Sequence, residues 1–211
     1  MLLPAHPSAP VQRDETSLLL RLTSAVERLD WTQVFPQSQP VEIELGCGDA
    51  SFLVEWARRN PARNFFGIER LAGRMIKLDR KGRRAGLGNV RGLRVEGVYF
   101  TEYLVPAASV AAFHIYFPDP WPKVRHAANR LVQPRFAELL HRALAADGVV
   151  YLRTDHADYF AQMQTVFRGA PGFAETETPA ALAELPTDFE REFAARGIAA
   201  NRAAFRKTAV E

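Results

Sequence analysis

Val41-Glu-Ile-Glu-Leu-Gly-Cys-Gly48 reads as a short strand that runs straight into a glycine turn, and the rest of the chain repeats this strand-to-helix theme around it. A helix over 51–59 follows the turn and is closed by the breaker Asn60-Pro61. NFFGIE at 64–69 predicts a second strand, 71–86 a second helix and 90–95 a third strand. VAAFHIYF at 110–117 is the most apolar strand and belongs in the middle of a sheet. A proline-rich loop over 118–133 comes next, then a helix over 136–146, a strand over 148–153 and a helix over 159–167. Strands alternating with helices of roughly 10–15 residues imply an α/β fold, a doubly wound and mostly parallel sheet with helices on both faces. Upstream, Leu18, Leu22, Val26 and Leu29 recur at a helical period. Residues 1–40 are therefore expected to form an arm and a helix ahead of a domain spanning 41–211. Between 171 and 192 the balance turns acidic, six acids to one arginine, and the periodicity is weak.

With 211 residues, 47% of them hydrophobic, the chain has enough material for one substantial core. No apolar run approaches the roughly 18–20 residues that cross a bilayer. The first 14 residues lack a basic cluster before an apolar stretch, so no secretory signal is expected. The single cysteine, Cys47, excludes an internal disulfide framework and a multi-cysteine zinc site; a reducing cytoplasm is the expected setting. The net charge of +3 conceals an uneven distribution. Residues 58–94 hold twelve Lys or Arg against Glu69 and Asp79, a local charge of +10, which leaves −7 for the remainder. Such a block suits a polyanion such as nucleic acid, and equally a solvated helix face. At about 100° per residue, Arg70, Arg74, Lys77, Lys81 and Arg84 fall in one arc of roughly 80°, beside an apolar stripe of Leu71, Met75, Leu78 and Ala85. Set beside the proline-rich loop at 117–123, Arg74, Lys77 and Lys81 of this ridge are read as contacts to an RNA backbone.

The glycine turn sits where a doubly wound sheet binds its ligand, at the carboxyl end of the first core strand. Gly46 and Gly48 let the backbone turn tightly and approach a ligand. Glu69, at the end of the next strand, is placed to accept hydrogen bonds from ribose hydroxyls. A dinucleotide fingerprint would want a third glycine where Ser51 stands. Glu44, two residues before the first glycine, suits a cationic ammonium better than a diphosphate. S-adenosylmethionine carries that ammonium, so it is favoured over NAD, which stays the rival. Cys47 is expected to be small and packed.

Phe117-Pro-Asp-Pro-Trp-Pro-Lys123 follows the central strand at once. Three prolines stiffen the backbone, which is what precise placement of Asp119 next to the donor requires. Trp121 offers a flat surface for a base or for the loop itself. Lys123, Arg125, His126 and Arg130 follow closely enough to hold phosphates.

ELGCGDASFL, FFGIER, FPDPWPKVRH and YLRTDHADYF, together with PTDFEREFAARG at 186–197, resemble in order and spacing the bacterial tRNA (guanine-N7)-methyltransferase family, over roughly residues 41–207. The resemblance implies a seven-stranded, Rossmann-like class I methyltransferase fold that binds S-adenosylmethionine, releases S-adenosylhomocysteine and uses no metal. It implies methylation of guanine N7 in tRNA, at guanine 46 of the variable loop, by a monomer or homodimer with no obligatory protein partner and no membrane. By position, Glu44, Glu69, Glu96 and Asp119 match donor-binding residues, and Asp119 the active-site acid. Lys123, Asp155, Thr187, Asp188, Phe189 and Glu190 match substrate contacts, and the segment holding Arg125, His126 and Arg130 matches the part that touches RNA. Three features depart from the family pattern. Asp188 stands where the family usually has lysine or another residue, Glu96 stands where Asp or Asn is common and is one methylene longer than aspartate, and Arg125-His-Ala-Ala-Asn-Arg130 is poorer in cations than a dense basic run. Beside this reading stand a methyltransferase acting on an exocyclic amine or a protein amide, and a non-catalytic tRNA-binding protein. His6, His114, His141 and His156 show no metal spacing, Trp31 and Trp56 are expected in the core, and Arg142 and Arg153 at the surface.

Overall fold

The computed structural model describes residues 11–209. Among them nine strands form one sheet: β1 (Val11–Arg13), β2 (Leu19–Leu22), β3 (Val41–Leu45), β4 (Asn64–Glu69), β5 (Val90–Arg94), β6 (Val110–Tyr116), β7 (Leu144–Thr154), β8 (Phe173–Thr176) and β9 (Asn201–Lys207). Their spatial order is β1-β2-β5-β4-β3-β6-β7-β9-β8. The run from β2 to β7 is parallel, whereas β1 on one edge and β9 and β8 on the other pair antiparallel. The helices are α1 (Trp31–Val34), α2 (Ser51–Arg59), α3 (Ala72–Arg84), α4 (Gly97–Tyr99) continuing into a π-helical turn at Phe100–Leu104, α5 (Pro134–Ala143), α6 (Ala157–Gly169), α7 (Ala180–Ala183) and α8 (Asp188–Ala195). No helix is long and apolar enough to cross a membrane.

Two expectations are corrected. The helix over 17–29 does not form: Leu19–Leu22 is a strand that pairs with β5, and β1 folds back on it. The exposed edge of β5 offers unpaired backbone groups, and satisfying them outweighs an amphipathic pattern of only three turns. Asp79 of α3 fastens the strand's start, accepting hydrogen bonds from Leu18 N (2.7 Å) and Ser17 Oγ (3.0 Å). The sheet accordingly has nine strands rather than seven, the two extra ones coming from residues assigned to the arm. The first ten residues of that arm, His6 among them, lie outside the described residues.

Side chains alternate across a strand, so each central strand divides its residues between two faces. Ile43 and Leu45, Phe113 and Ile115, and Val150 and Leu152 enter the larger apolar core, with α5 and α6 packed over it. The opposite face takes Glu42 and Glu44, His114 and Tyr116, and Tyr151 and Arg153, and it is covered by α2 and the segment around α7. The parallel sheet is thus buried on both sides, but one side is polar.

Gly67 in β4 fixes how closely the covering helices approach. A Cβ there would stand 2.6 Å from Leu78 Cδ1, 2.8 Å from Leu53 Cδ2 and 3.1 Å from Cys47 Sγ. Gly67→Ala is therefore expected to prise α2 and α3 off the sheet and lower stability by about 1–3 kcal/mol. The measurement is the urea midpoint at unchanged slope.

Candidate active site

β3 and β6 are neighbours whose onward connections leave in opposite directions, so the sheet opens a crevice outside their carboxyl ends. The crevice has two chambers. The larger, about 740 Å³, is walled by Glu69, Glu96, Asp119 and Trp121. The smaller, about 260 Å³, is walled by Glu44, Gly48, Asp49, Lys77 and Asp188. Gly46, Arg74, Tyr116, Phe117 and Phe189 line both and form the passage between them.

The glycine turn is tied to β4, because the amides of Gly46 and Cys47 both donate to Ile68 O, at 2.8 and 2.9 Å. Gly46 and Gly48 have φ of 76° and 55°, the left-handed region that favours glycine. Asp49 accepts from the Ser51 amide and hydroxyl and from Lys81 Nζ (2.7 Å). Although burial opposes it, the bond from Lys81, supported by those from Ser51, holds the Asp49 carboxyl well below its usual range. Cys47 is packed as expected: burial, reinforced by Glu44 and Glu69, pushes its thiol up, which suppresses the thiolate.

Glu44 is the electrostatic singularity of the smaller chamber. It is 4% exposed, and its Oε2 has no hydrogen-bond partner. Burial drives its carboxyl well above the ordinary range; Arg153 opposes the shift, while Asp49, Asp188 and Glu69 add to it. A buried acceptor lacking a donor is matched by a cationic ligand group, and an amino-acid ammonium fits it.

In the larger chamber Glu69 Oε1 accepts from the amides of Arg70 (2.7 Å) and Leu71 (3.0 Å), while Oε2 meets Arg74 Nη1 at 3.4 Å. Glu96 caps α4 through the amides of Val98 and Tyr99. Asp119 is exposed, lines the chamber, and makes no hydrogen bond or ion pair among the described residues. Its loop is set by strain as well as by proline: Phe117 (φ 51°) and Trp121 (φ 42°) both adopt left-handed backbone. Arg130 braces the same loop. Read as an RNA contact, it is instead buried, donating to Pro120 O and Gln162 Oε1 (both 2.8 Å) with its guanidinium over the Tyr159 ring. Lys123, Arg125 and His126 remain outside the crevice, with Lys123 and Arg125 exposed.

The segment holding Thr187 to Glu190 closes the smaller chamber from above. Thr187 and Glu190 form a capping box at the start of α8, and Phe189 stacks on Phe193 and meets the Phe117 ring at a tilt. Asp188 lines the chamber and pairs with Arg191 at 2.5 Å. Glu190, matched to a substrate contact, is buried and engaged elsewhere. It accepts from Arg153 Nη1 (2.7 Å), Arg202 Nη2 (2.6 Å) and the Thr187 amide (2.8 Å). Asp155 follows β7 and lines neither chamber.

Sequence reading missed the residue that fastens this segment. Arg153, assigned to the surface, is 2% exposed. Besides Glu190 it donates to Leu185 O (2.8 Å) and Leu182 O (2.7 Å), with its guanidinium 4.3 Å from the Tyr116 ring centroid. His114 is also more than a bland core residue. It links Tyr116 Oη to Glu42 Oε2, both at 2.8 Å, and Glu42 also accepts from Trp56 Nε1 and Arg63 Nη1. The one sequence signal was alternation: an arginine in step with Tyr151, one strand from His114 and Tyr116. Among the described residues no group of three or more His, Cys, Asp or Glu is placed to hold a metal ion.

A family model described as a putative methyltransferase matches residues 38–207. A tRNA (guanine-N(7)-)-methyltransferase of Leifsonia xyli subsp. xyli is 39% identical over 168 residues, 77% of this chain and 74% of that one. One from Photobacterium profundum is 34% identical over 174 residues, 82% of this chain and 71% of that one. The chain belongs to the tRNA (guanine-N7)-methyltransferase family. Solved structures agree on the fold. The 16S rRNA methyltransferase KamB superposes with a TM-score of 0.62 at 18% identity, covering 90% of this chain and 97% of that one. The 16S rRNA (adenine(1408)-N(1))-methyltransferase of Catenulisporales acidiphilia gives 0.58 at 15% identity, covering 90% and 96%. Within the shared α/β methyltransferase fold, the strands β5-β4-β3-β6-β7-β9-β8 make up the expected seven, and β2 and β1 extend this family member's sheet beyond β5.

A buried carboxyl with a raised folded-state value contributes stability that is complete below the ordinary carboxyl range and is lost as the pH climbs above it. Ligand-free Glu44→Gln is therefore expected to melt at a higher temperature than the unsubstituted protein above about pH 5, with the gap closing below about pH 4. Scanning calorimetry across that range checks it, and a gap independent of pH would contradict it.

Proposed function

We propose that the protein transfers the methyl group of S-adenosylmethionine to N7 of a guanine in tRNA, leaving 7-methylguanosine and S-adenosylhomocysteine, with guanine 46 of the variable loop as the position. The observation that carries this reading is the pairing, across one crevice, of a buried acceptor short of a donor, Glu44, with an exposed and unengaged carboxylate, Asp119. The names of the family relatives support tRNA as substrate, and a cytoplasmic setting is part of the same proposal.

The donor supplies an electrophilic methyl on a sulfonium. Guanine N7 has a free in-plane lone pair and no proton, so no general base is needed, and the residues here work by alignment. Glu44 holds the ammonium, Glu69 accepts from ribose hydroxyls through its less occupied Oε2, and Glu96 flanks the adenine end of the larger chamber. Asp119 accepts from guanine N1–H and the exocyclic amine and opposes the positive charge that grows on the ring. Phe189, 44% exposed over the passage, offers the target base a stacking surface. The capping box and the clamp on Glu190 make Thr187 and Glu190 holders of this surface, while Lys123, Asp155 and Asp188 are assigned to the incoming nucleotide. The base must leave its stack to reach Asp119, as a loop nucleotide can.

RNA backbone contacts run along the rim. Of the ridge on α3, Lys81 is tied to Asp49 and Ser51 (2.7 and 2.5 Å), and Arg74 and Lys77 turn toward the crevice. Arg70, Arg84 and the neighbouring Arg80 are exposed and carry no ion pair among the described residues. With Arg125 and His126 they form the phosphate-binding surface.

Purified protein given labelled donor and unmodified tRNA is expected to yield 7-methylguanosine on nucleoside analysis. Asp119→Ala and Asp119→Asn should cut turnover at least a hundredfold while donor binding, measured separately, stays within about threefold. Near-normal turnover in either would remove Asp119 from the reaction. Reversal of Arg80 and Arg84 to Glu is expected to weaken tRNA binding and flatten its salt dependence by about one unit of slope per cation. Filter binding across a salt series provides the check.

A further inference from the structure

An amino-acid end bears a carboxylate as well as an ammonium, and the smaller chamber is rich in acids that would repel it. The acids differ in how fully they are already paired. Asp49 is neutralised by Lys81 at 2.7 Å and Asp188 by Arg191 at 2.5 Å. Glu44 keeps its orphaned oxygen. Among the residues that wall the chamber only Arg74 and Lys77 are cations. They stand three positions apart on α3, hence on one side of the helix. Lys77 has no ion pair among the described residues, and the single link of Arg74, to Glu69, is a long 3.4 Å. That link uses Nη1 alone, so the remaining guanidinium N–H groups stay available for a two-point grip on a carboxylate. Arg74 also lines both chambers, which lets one side chain hold Glu69 on the ribose side and reach the amino-acid side.

We propose that Arg74, seconded by Lys77, binds the α-carboxylate of the donor's amino-acid end, opposite the ammonium held by Glu44. Both residues thereby leave the RNA-contact ridge and join the donor site. The chamber selects a zwitterion: the carboxylate-free analogue would place a cation beside Arg74 and Lys77 and gain nothing from them. The inference rests on S-adenosylmethionine being the donor, and its test separates the two.

Calorimetric titration with S-adenosylhomocysteine and with its decarboxylated analogue reads the carboxylate alone, because the two ligands share adenine, ribose and amine. The unsubstituted protein is expected to prefer S-adenosylhomocysteine by roughly tenfold to a hundredfold, the range for a charge-assisted pair. Arg74→Met should erase most of that preference while holding affinity for the analogue within about twofold, and Arg74→Lys should restore part of it. Equal losses for both ligands would mean that Arg74 acts only by orienting Glu69, and would overturn the proposal. An unchanged preference, with weaker tRNA binding and a flatter salt dependence, would return Arg74 to the RNA surface and overturn it too. Binding of neither ligand by the unsubstituted protein would instead bring down the donor assignment itself.

Discussion

One buried guanidinium organises the catalytic end of this molecule. Arg153 reaches from β7 to two carbonyl oxygens around α7, to the carboxylate that caps α8, and to the face of Tyr116 at the head of β6. Each of those parts alone is weakly fixed: α7 is a single turn, and the chain between β8 and β9 crosses the polar face of the sheet without pairing to it as a strand. A surface pair such as Arg168–Glu175 contributes at most about 1 kcal/mol. Removing one member of a buried, fully bonded pair costs about 3–5 kcal/mol, because the other is left charged and alone. The position of the roof over the smaller chamber therefore follows from Arg153 and its shared partner Glu190.

That guanidinium belongs to a wider arrangement. The polar face of β3, β6 and β7 holds Glu42, His114 and Tyr116 in one bonded line, with Arg153 stacked on its end. Such a line is directional where apolar packing is not, so the two residues at its crevice end, Tyr116 and Phe117, inherit a defined position. Glu44 lies beside this line without joining it. Its neighbour Glu42 has the same side-chain chemistry and burial, yet it is held below the ordinary carboxyl range: burial opposes its charge, but His114, Trp56 and Arg63 overcome that. Two glutamates two residues apart thus have opposite fates, decided by partners from other strands.

What the sequence made legible follows the range of the forces involved. β3, α2 and β4 are read to the residue because their signals are local: an apolar strand, a glycine turn, an Asn-Pro stop. That Glu44, Glu69 and Asp119 line the crevice was legible for the same reason, because they are fixed in spacing to the strand ends. The N-terminal strand was not, since what makes Leu19–Leu22 extended is the vacant edge of β5, seventy residues on in the chain. Arg153 failed in the same way. An arginine is ordinarily a surface residue, and nothing near it in sequence announces Glu190, 37 positions away. Arg130 and Glu190 were legible as important but not in role, because the motif marks a place in the crevice and not which way the side chain faces.

The order of the sheet carries a temporal implication. β9 lies between β7 and β8, so a strand that leaves the ribosome after both is inserted between them. Arg202, which completes the clamp on Glu190, sits on that same strand. Until it arrives, the roof segment has lost one of its two cationic anchors and the strand behind it. β3 to β7, which carry the glycine turn and the strand ends of the crevice, all precede in the chain the strand that anchors the roof, so the roof is the last part of the crevice to gain its support.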